Sequence, residues 1–310
     1  MQADSRTAIL AALGANLGIA IAKFVGWGMT GAASMLAEAV HSVADTSNQA
    51  LLLWGGSAAR RQPSDTHPFG YGMERYFWSF VVALVIFTVG GLFALVEGIE
   101  KVRHPHAVGN VAWAVGILVV AIGLETFSFR TAIVAARPLK GRRSWVGFIR
   151  SSKNPELPVV LLEDMGALLG LVLALAGVGL AAWTGDARWD AVGSMTIGVL
   201  LVAIAVTLAT EMKSLLIGES ATPEHVDAIR ESLAAADDIE RIIHMRTLHL
   251  GPDHLLVAAK LEFRQGMSFA EVAAAIDAAE DRVRARIPIA RTIFVEPDVY
   301  KDGPHTGAEA

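Results

Sequence analysis

Two long stretches of this chain, Trp78–Val96 and Met165–Trp183, contain no charged residue and are mostly apolar. Each has about 19 residues, which is long enough for a helix to cross roughly 30 Å of hydrocarbon. The mean hydropathy of +0.46, with 53% hydrophobic and 18% charged residues, is too apolar for a chain that maintains a polar surface in water. These features predict an integral membrane protein whose surroundings are the lipid bilayer.

Gly, Pro and charged residues divide the rest of the apolar sequence into segments of similar length. This division predicts six spanning helices: Thr7–Met29, Ala33–Ala59, Tyr76–Ile99, Val108–Ala136, Glu156–Thr184 and Trp189–Leu208. Residues 1–7 lack the basic region of a cleaved signal peptide, so the first span is expected to be retained. Because the chain has no cysteine, any bound metal must be held by His, Asp, Glu or Asn.

Basic residues concentrate in two connectors, those after the second and fourth predicted spans. These two connectors hold Arg60, Arg61, Arg75, Arg137, Lys140, Arg142, Arg143, Arg150 and Lys153. The alternate connectors hold only Lys101, Arg103 and Arg188. By the positive-inside rule, this asymmetry places both termini in the cytoplasm. The short loops and the lack of a targeting sequence favour a bacterial inner membrane, with an organellar membrane as the alternative.

The character of the sequence changes after Lys213. The pattern predicts helix, strand, strand, helix and strand, in that order, over Pro223–Ala235, Ile239–His249, Leu255–Phe263, Ser268–Arg286 and Thr292–Glu296. Glu271, three residues after Ser268, predicts a capping box at the start of the second helix. We therefore expect a six-helix transmembrane domain over residues 1–212, a small α+β (αββαβ) cytoplasmic domain over 213–300, and a flexible tail over 301–310. A domain of about 85 residues buries a limited core, so dimerisation is expected.

Ionisable residues inside the predicted spans are functional candidates, because each costs on the order of 2.5 to 3.5 kcal/mol at the membrane centre. The second span carries Glu38, His41 and Asp45. His41 and Asp45 are four residues apart, which places an imidazole and a carboxylate on one helical face, and Asn48 continues that face. The His-Asp pair by itself is equally consistent with a metal site and with a buried hydrogen bond between helices.

The fifth span places two adjacent acids, Glu163 and Asp164, in apolar sequence. Two such carboxylates repel each other unless a cation or shared protons offset the repulsion. Glu163 lies on a stripe with Gly166 and Gly170, a spacing that permits close helix approach. We expect both acids to point into the bundle, toward the polar face of the second span. The alternative is that they lie near the inner surface and reach water.

Four other ionisable residues in or near the spans are less specific. Glu125 in the fourth span and Asp190 at the start of the sixth are consistent with a proton path, with helix pairing, and with an interfacial position. Lys23 and Arg130 are expected to reach the interface by snorkelling.

Two motifs resemble the cation diffusion facilitator family of metal/proton antiporters: AEAVHSVAD at Ala37–Asp45 and HPFGYGME at His67–Glu74. The order of spans and C-terminal elements agrees, and the resemblance covers roughly residues 8–298. It implies a transporter, not an enzyme, that moves a divalent transition metal out of the compartment holding the C-terminal domain, in exchange for protons. Zinc is the expected cargo, with manganese, iron, cobalt or cadmium as alternatives. A homodimer and no nucleic-acid partner are also expected.

The resemblance further implies that two residues four apart on the second span and two four apart on the fifth hold the ion. Val160 stands where the family usually has His or Asp, one turn before Asp164, so one ligand is missing. Glu163 is expected to replace it, with Asn48 or a water as alternatives, as in a branch of the family with an adjacent Glu-Asp pair. This exchange of nitrogen for oxygen gives a harder donor set. The predicted ligands are therefore His41, Asp45, Asp164, Glu163 and Asn48.

Metal ligands must be deprotonated, so protons compete with the cation for the same side chains. His41 is assigned the exchanged proton, because an imidazole ordinarily titrates near neutral pH. One rival is a membrane-embedded metal hydrolase, but the sequence has no HExxH run or nucleophile constellation. Another is a non-transporting metal sensor or scaffold that acts through its C-terminal domain. Acids within two separate spans argue against the second rival.

Overall fold

The structure, a computed structural model of the chain, describes residues 17–105 and 108–301. These residues form two compact units. One unit holds the described residues up to Arg61 together with Glu74–Lys213, and the other holds Gln62–Met73 and the described residues from Ser214. Residues 7–16 of the predicted first span and 302–310 of the predicted tail lie outside the described residues.

Helices make up the first unit. In chain order they are α1 (Leu17–Thr30), α2 (Ala33–Ala58), α3 (Glu74–Arg103), α4 (Val111–Lys140), α5 (Trp145–Ser151), α6 (Glu156–Thr184) and α7 (Arg188–Ile217). The short helix α5 was not predicted. It lies in the second basic connector, where the Ser144 side chain caps it by accepting a hydrogen bond from the Gly147 N–H at 2.9 Å.

Four of these helices, α3, α4, α6 and α7, are long and apolar enough to cross a membrane, by length and composition. The described part of α1 is apolar but shorter, and α2 has the length but is too polar to be counted with them. The polar character of α2 comes from the same side chains that the sequence singles out as functional. A helical membrane protein is therefore confirmed, whereas the count of six spans stays a prediction.

Small residues let neighbouring helices approach closely in this unit. A Cβ added to Gly166 of α6 would lie 2.7 Å from the Cδ1 atom of Ile204 on α7. The middle of α3 is π-helical over Ile86–Leu92. Gly91 within this segment contacts α7 so closely that an added Cβ would lie 2.8 Å from Val202 Cγ2. The contact at Gly166 confirms the predicted close approach at the α6 glycine stripe.

A buried ion pair from two other helices holds the N-terminus of α2. Asp190 of α7 accepts hydrogen bonds from the backbone N–H groups of Ala33 at 2.7 Å and Ser34 at 3.3 Å. It also accepts one from Lys101 Nζ of α3 at 2.7 Å, and Lys101 donates to the Gly31 carbonyl at 2.8 Å. A carboxylate here satisfies free N–H groups and complements the helix dipole. Of the three interpretations of Asp190, the structure supports helix pairing.

The second unit is an α+β domain. Its elements are α8 (Pro223–Ala234), β1 (Ile239–Gly251), β2 (His254–Phe263), α9 (Phe269–Arg286) and β3 (Thr292–Pro297). The central strand β2 is antiparallel to β1 and parallel to β3. The parallel pairing requires a crossover, which α9 supplies. Ser268 and Glu271 form a capping box at the start of α9. The predicted αββαβ order and capping box are therefore confirmed.

The loop after α2, which carries the second sequence motif, belongs to this second unit. The His67 ring stacks on Tyr71 with centroids 4.5 Å apart, and the His67 carbonyl accepts a hydrogen bond from the Gly70 N–H at 2.9 Å. Gly72 packs on the β1–β2 hairpin, where an added Cβ would lie 2.5 Å from the carbonyl oxygen of Leu250. The motif therefore builds a tight turn seated on the sheet.

Candidate functional site

The polar face of α2 is almost completely covered by its neighbours. Glu38 is 0% exposed, His41 1% and Asp45 9%. His41 Nδ1 and Asp45 Oδ1 lie 3.5 Å apart, and Asn48 one turn further on is fully buried. Both ring nitrogens of His41, together with Asp45 Oδ1 and Asn48 Oδ1, find no hydrogen-bond partner among the described residues. The i, i+4 spacing thus produces a buried row of unsatisfied polar atoms.

Glu163 of α6 faces this row. It is 5% exposed, and its Oε1 accepts a long hydrogen bond of 3.5 Å from Asn48 Nδ2. Its carboxyl group also neighbours that of Asp45, so α2 and α6 bring two acids together. The other carboxylate oxygen of Glu163 is buried without a partner among the described residues. The predicted inward orientation of Glu163 agrees with this arrangement.

Asp164 points in a different direction from Glu163. Its Oδ2 accepts a hydrogen bond of 3.1 Å from Ser128 Oγ of α4, and the residue is partly exposed. Val160, one turn earlier, lies in an apolar cluster with Ala132 of α4 and Phe148 of α5. The position of the missing ligand is thus filled by an apolar contact, and of the two adjacent acids it is Glu163 that contacts the polar row of α2.

One polar cavity nevertheless joins Asp45 and Glu163 to Asp164, whereas His41 and Asn48 do not line it. It is lined by Ile19, Ser42, Asp45, Gln49, Glu125, Ser128, Glu163 and Asp164. Four carboxyl groups around one cavity of low dielectric favour cations strongly over anions. In this conformation, no three His, Asp or Glu side chains among the described residues are grouped so that they hold a metal ion. Binding a metal therefore requires side chains to move toward one another within the cavity.

Lys23 is fully buried, so the snorkelling predicted for it is wrong. Its Nζ lies 3.1 Å from Glu38 Oε2 and donates a hydrogen bond of 2.7 Å to Ser42 Oγ. A lysine that finds a carboxylate partner inside the bundle does not need to reach water. Arg130, the other residue assigned this way, is exposed on α4. The pairing of Glu38 with Lys23 is not visible in the sequence, because their contact forms only when α1 packs on α2.

Family comparisons agree with this arrangement of helices and domain. The family described as the cation efflux transmembrane domain matches residues 9–217. The chain belongs to the cation efflux family. Residues 221–299 match the cation efflux protein cytoplasmic domain. The resemblance inferred from the motifs is therefore confirmed. The predictions of a multi-pass membrane protein and of a transporter, not an enzyme, are confirmed with it.

Three similar proteins illustrate the range of this cation efflux family. The mitochondrial proton-coupled zinc antiporter SLC30A9 of Xenopus laevis is 34% identical over 243 residues, which are 78% of this chain and 44% of that protein. Zinc transporter ZitB of Escherichia coli (strain K12) is 24% identical over 78% of this chain and 73% of its own length. The manganese efflux system protein MneP of Bacillus subtilis (strain 168) is 23% identical over 81% of this chain and 82% of its own length. The chain thus spans less than half the length of the SLC30A9 relative.

The predicted bacterial inner membrane is not supported by these comparisons. The SLC30A9 relatives, at 32% to 34% identity, are described as mitochondrial. Spans of the same length and composition suit either membrane, so the features used for the prediction do not discriminate between them.

Proposed function

We propose that this protein exports a divalent transition-metal cation, with zinc as its main cargo, in exchange for protons. The observation that carries the proposal is the set of buried, unpartnered polar atoms of His41, Asp45 and Glu163. Buried polar atoms are normally hydrogen-bonded, and each one left unsatisfied costs about 1–3 kcal/mol. A cation bound transiently between α2 and α6 satisfies these atoms together. The zinc antiporter and zinc transporter among the relatives support zinc, and MneP supports manganese as a second cargo.

The proposed ligands are His41, Asp45 and Glu163, with Asn48 holding the Glu163 carboxylate through its amide. Asp164 stays in the set because it lines the cavity together with Asp45 and Glu163. Its hydrogen bond with Ser128 places it on the α4 side of this cavity. Glu163 takes the place that a His or Asp at position 160 would otherwise fill. Three oxygen ligands with one nitrogen suit zinc and also admit harder ions such as manganese, iron, cobalt or cadmium.

The chemistry of these ligands links metal movement to proton movement. The cavity binds the cation when His41 is neutral and the acids are ionised, because a protonated ligand has no free electron pair for a metal. After the bundle reorients, protons that reach the same side chains displace the cation. His41 is the proposed carrier of the exchanged proton, since an imidazole changes charge near neutral pH.

We propose the following architecture for this activity. Helices α1 and α2 complete six spans with the four long apolar helices, with both termini on the side of the basic connectors. Residues 1–212 form the transport domain, residues 213–300 form the cytoplasmic domain that pairs two protomers, and residues 301–310 form a tail. The match of residues 221–299 to the cytoplasmic domain of cation efflux proteins supports the second assignment.

Purified protein in proteoliposomes with an imposed pH gradient tests the proposal, with Zn²⁺, Mn²⁺, Fe²⁺, Co²⁺ and Cd²⁺ supplied separately. We expect gradient-driven zinc flux in the wild type and its loss in Asp45→Ala and Glu163→Ala. Glu100→Ala is the matched control, because Glu100 is an exposed acid on α3 that does not line the cavity. His41→Ala is expected to lose proton coupling. A folded wild-type protein that moves no metal would favour a sensor or scaffold.

A further inference from the structure

A second buried charged cluster, formed by Lys23, Glu38 and Ser42, adjoins the cavity. The Lys23 and Glu38 side chains are both 0% exposed, and Ser42 receives a hydrogen bond from Lys23. Of the three, Ser42 alone lines the cavity. The proposed transport chemistry uses neither the ammonium nor the carboxylate of this cluster. A lysine next to a cation-binding cavity therefore requires its own explanation.

The positions of these side chains along the helices place the cluster at one end of the cavity. On α2, the cavity-lining residues Ser42, Asp45 and Gln49 all follow Glu38 in the chain. On α1, the lining residue Ile19 precedes Lys23 by one turn. The chain reverses between α1 and α2, so in both helices the cavity lies on the side of the cluster away from the α1–α2 turn.

The contact between Glu38 and α6 also places the cluster at this end of the cavity. The second carboxylate oxygen of Glu38 is buried, has no hydrogen-bond partner among the described residues, and is seated against Gly170. Gly170 has no side chain, and a Cβ there would collide with this oxygen. The cavity-lining acids of α6, Glu163 and Asp164, precede Gly170, and the buried Ala174 follows it by one turn. Lys23 and Glu38 thus fill the space between α1, α2 and α6 beyond the cavity.

We infer that the Lys23–Glu38 pair closes the cation path toward the α1–α2 turn, and that the path opens when the pair separates. This inference rests on the proposed transport function. A fixed ammonium at Ser42 repels a divalent cation that leaves the cavity in this direction, and the repulsion is strong where water is excluded. Separation of α1 from α2 removes the ammonium and exposes the Glu38 carboxylate as the next oxygen ligand for the cation. The separation is a movement of helices and needs no change of protonation.

The absence of cysteine from the chain makes this closure directly measurable. A single cysteine at Ala174→Cys places a thiol on α6 just beyond the pair. In proteoliposomes, a charged, membrane-impermeant methanethiosulfonate reagent added on the side of the α1–α2 turn labels this thiol only when the path is open. Labelling is compared in Ala174→Cys alone and with Lys23→Met, Glu38→Gln, Lys23→Arg or the control Glu100→Gln.

We expect the labelling rate to rise about tenfold in Lys23→Met and Glu38→Gln, the factor that corresponds to about 1.4 kcal/mol of lost closure. Lys23→Arg retains a cation opposite Glu38, so its labelling should stay near that of Ala174→Cys alone, as should that of Glu100→Gln. The charge-swapped Lys23→Glu/Glu38→Lys variant should also label slowly. Recovery on swapping the charges shows that the effect on labelling arises from the attraction between the two side chains. If the single variants do not fold, the swapped variant decides, because fast labelling in it overturns the inference.

Zinc flux measured on the same proteoliposomes separates this inference from the proposed function. Wild-type zinc flux with labelling unchanged by Lys23→Met and Glu38→Gln overturns the closure and leaves transport standing. A wild type that moves no metal, together with labelling of Ala174→Cys that rises on adding Lys23→Met or Glu38→Gln, supports the closure and contradicts transport.

Discussion

Buried charge is handled in opposite ways at the N-terminus of α2 and in its middle. At its N-terminus, Asp190 and Lys101 are fully buried, and their hydrogen bonds go to each other, to the Gly31 carbonyl and to the first two residues of α2. In the middle of the same helix, His41 and Asp45 are buried beside Glu163 with polar atoms unpartnered among the described residues. A satisfied buried pair holds the fold together, whereas an unsatisfied group is available to a substrate. Burial alone therefore does not identify the functional acids, but the state of their hydrogen bonds does.

The second unit shows a third arrangement, in which charges pair at the surface. Arg264 and Asp238 lie 2.9 Å apart with side chains 58% and 41% exposed. Water screens such pairs, so they contribute little to stability. The comparison predicts large effects on binding at the cavity, large effects on folding at the N-terminus of α2, and small effects at the surface of the second unit.

The largest expected effect on metal binding is at the cavity. Glu163→Gln should weaken zinc binding by roughly 100-fold, and Asp164→Asn by about tenfold or less, because Glu163 faces α2 and Asp164 bonds to Ser128 of α4. Calorimetric titration of the purified protein with zinc measures both. Equal losses would show that Asp164 contributes as much to zinc binding as Glu163 does, against the placement of Asp164 at the α4 side of the cavity.

The largest expected effect on folding is at the N-terminus of α2. Asp190→Asn should destabilise the protein by about 3–5 kcal/mol, because it leaves the Lys101 ammonium buried without its counter-charge. Denaturant unfolding in detergent micelles measures this loss. The double variant Lys101→Met/Asp190→Leu should lose less than Asp190→Asn alone. A double variant that is less stable than the single one would contradict this account of the pair.

A change in stability of the opposite sign is expected for a substitution in the middle of α2. Asp45→Asn should stabilise the metal-free protein by about 0.5–2 kcal/mol, because it removes the repulsion between the Asp45 and Glu163 carboxylates. The same substitution should impair function. Thermal unfolding without metal measures the gain. Added zinc should then raise the melting temperature of the wild type much more than that of the variant. Destabilisation like that of Asp190→Asn would assign Asp45 to the fold.

A smaller effect is expected at the surface of the second unit. Arg264→Ala should reduce stability by at most about 1 kcal/mol, because both partners in its ion pair with Asp238 are exposed. Hydrogen exchange of the β1 and β2 amides in the full chain measures the stability of this unit. A loss as large as that of Asp190→Asn would remove the contrast between the surface and buried pairs.

The smallest expected effect is the pH dependence of the stability of the second unit. Partial burial and the nearby charge of Arg291 lower the pKa of His254, whose Nε2 lies 2.8 Å from Thr292 Oγ1. The unfolded chain, with a His pKa near 6.5, then binds more protons than the folded one as the pH falls below about 6.5. The second unit should therefore lose stability over this range, and His254→Gln should reduce the loss. Melting temperatures from pH 7 to pH 5 measure the difference.

Several parts of the molecule follow local rules and were predicted from sequence for that reason. The capping box of Ser268 and Glu271 requires only residues three apart, and the strands of the second unit follow from alternation and a turn. Gly166 and Gly170 predict close packing from their spacing alone. The row of His41, Asp45 and Asn48 follows from the helical repeat. The two motifs indicated the family, which the comparisons confirm.

Other features depend on which helices meet, and these were wrong or incomplete at the level of sequence. Lys23 was predicted to snorkel to the interface, but its partner Glu38 lies on another helix and meets it only when α1 packs on α2. Asp190 had three equivalent interpretations until Lys101 and the start of α2 were placed beside it.

The sequence by itself determined the apolar helices, the αββαβ domain and the face of α2 that carries the polar residues, because these depend on composition and on short, regular spacing. The tertiary structure alone decided which of two adjacent acids faces α2, which buried charges are paired and which remain unsatisfied. Those outcomes depend on distances between helices that are far apart in the chain, and a low dielectric makes each such distance decisive for the energy of a charge.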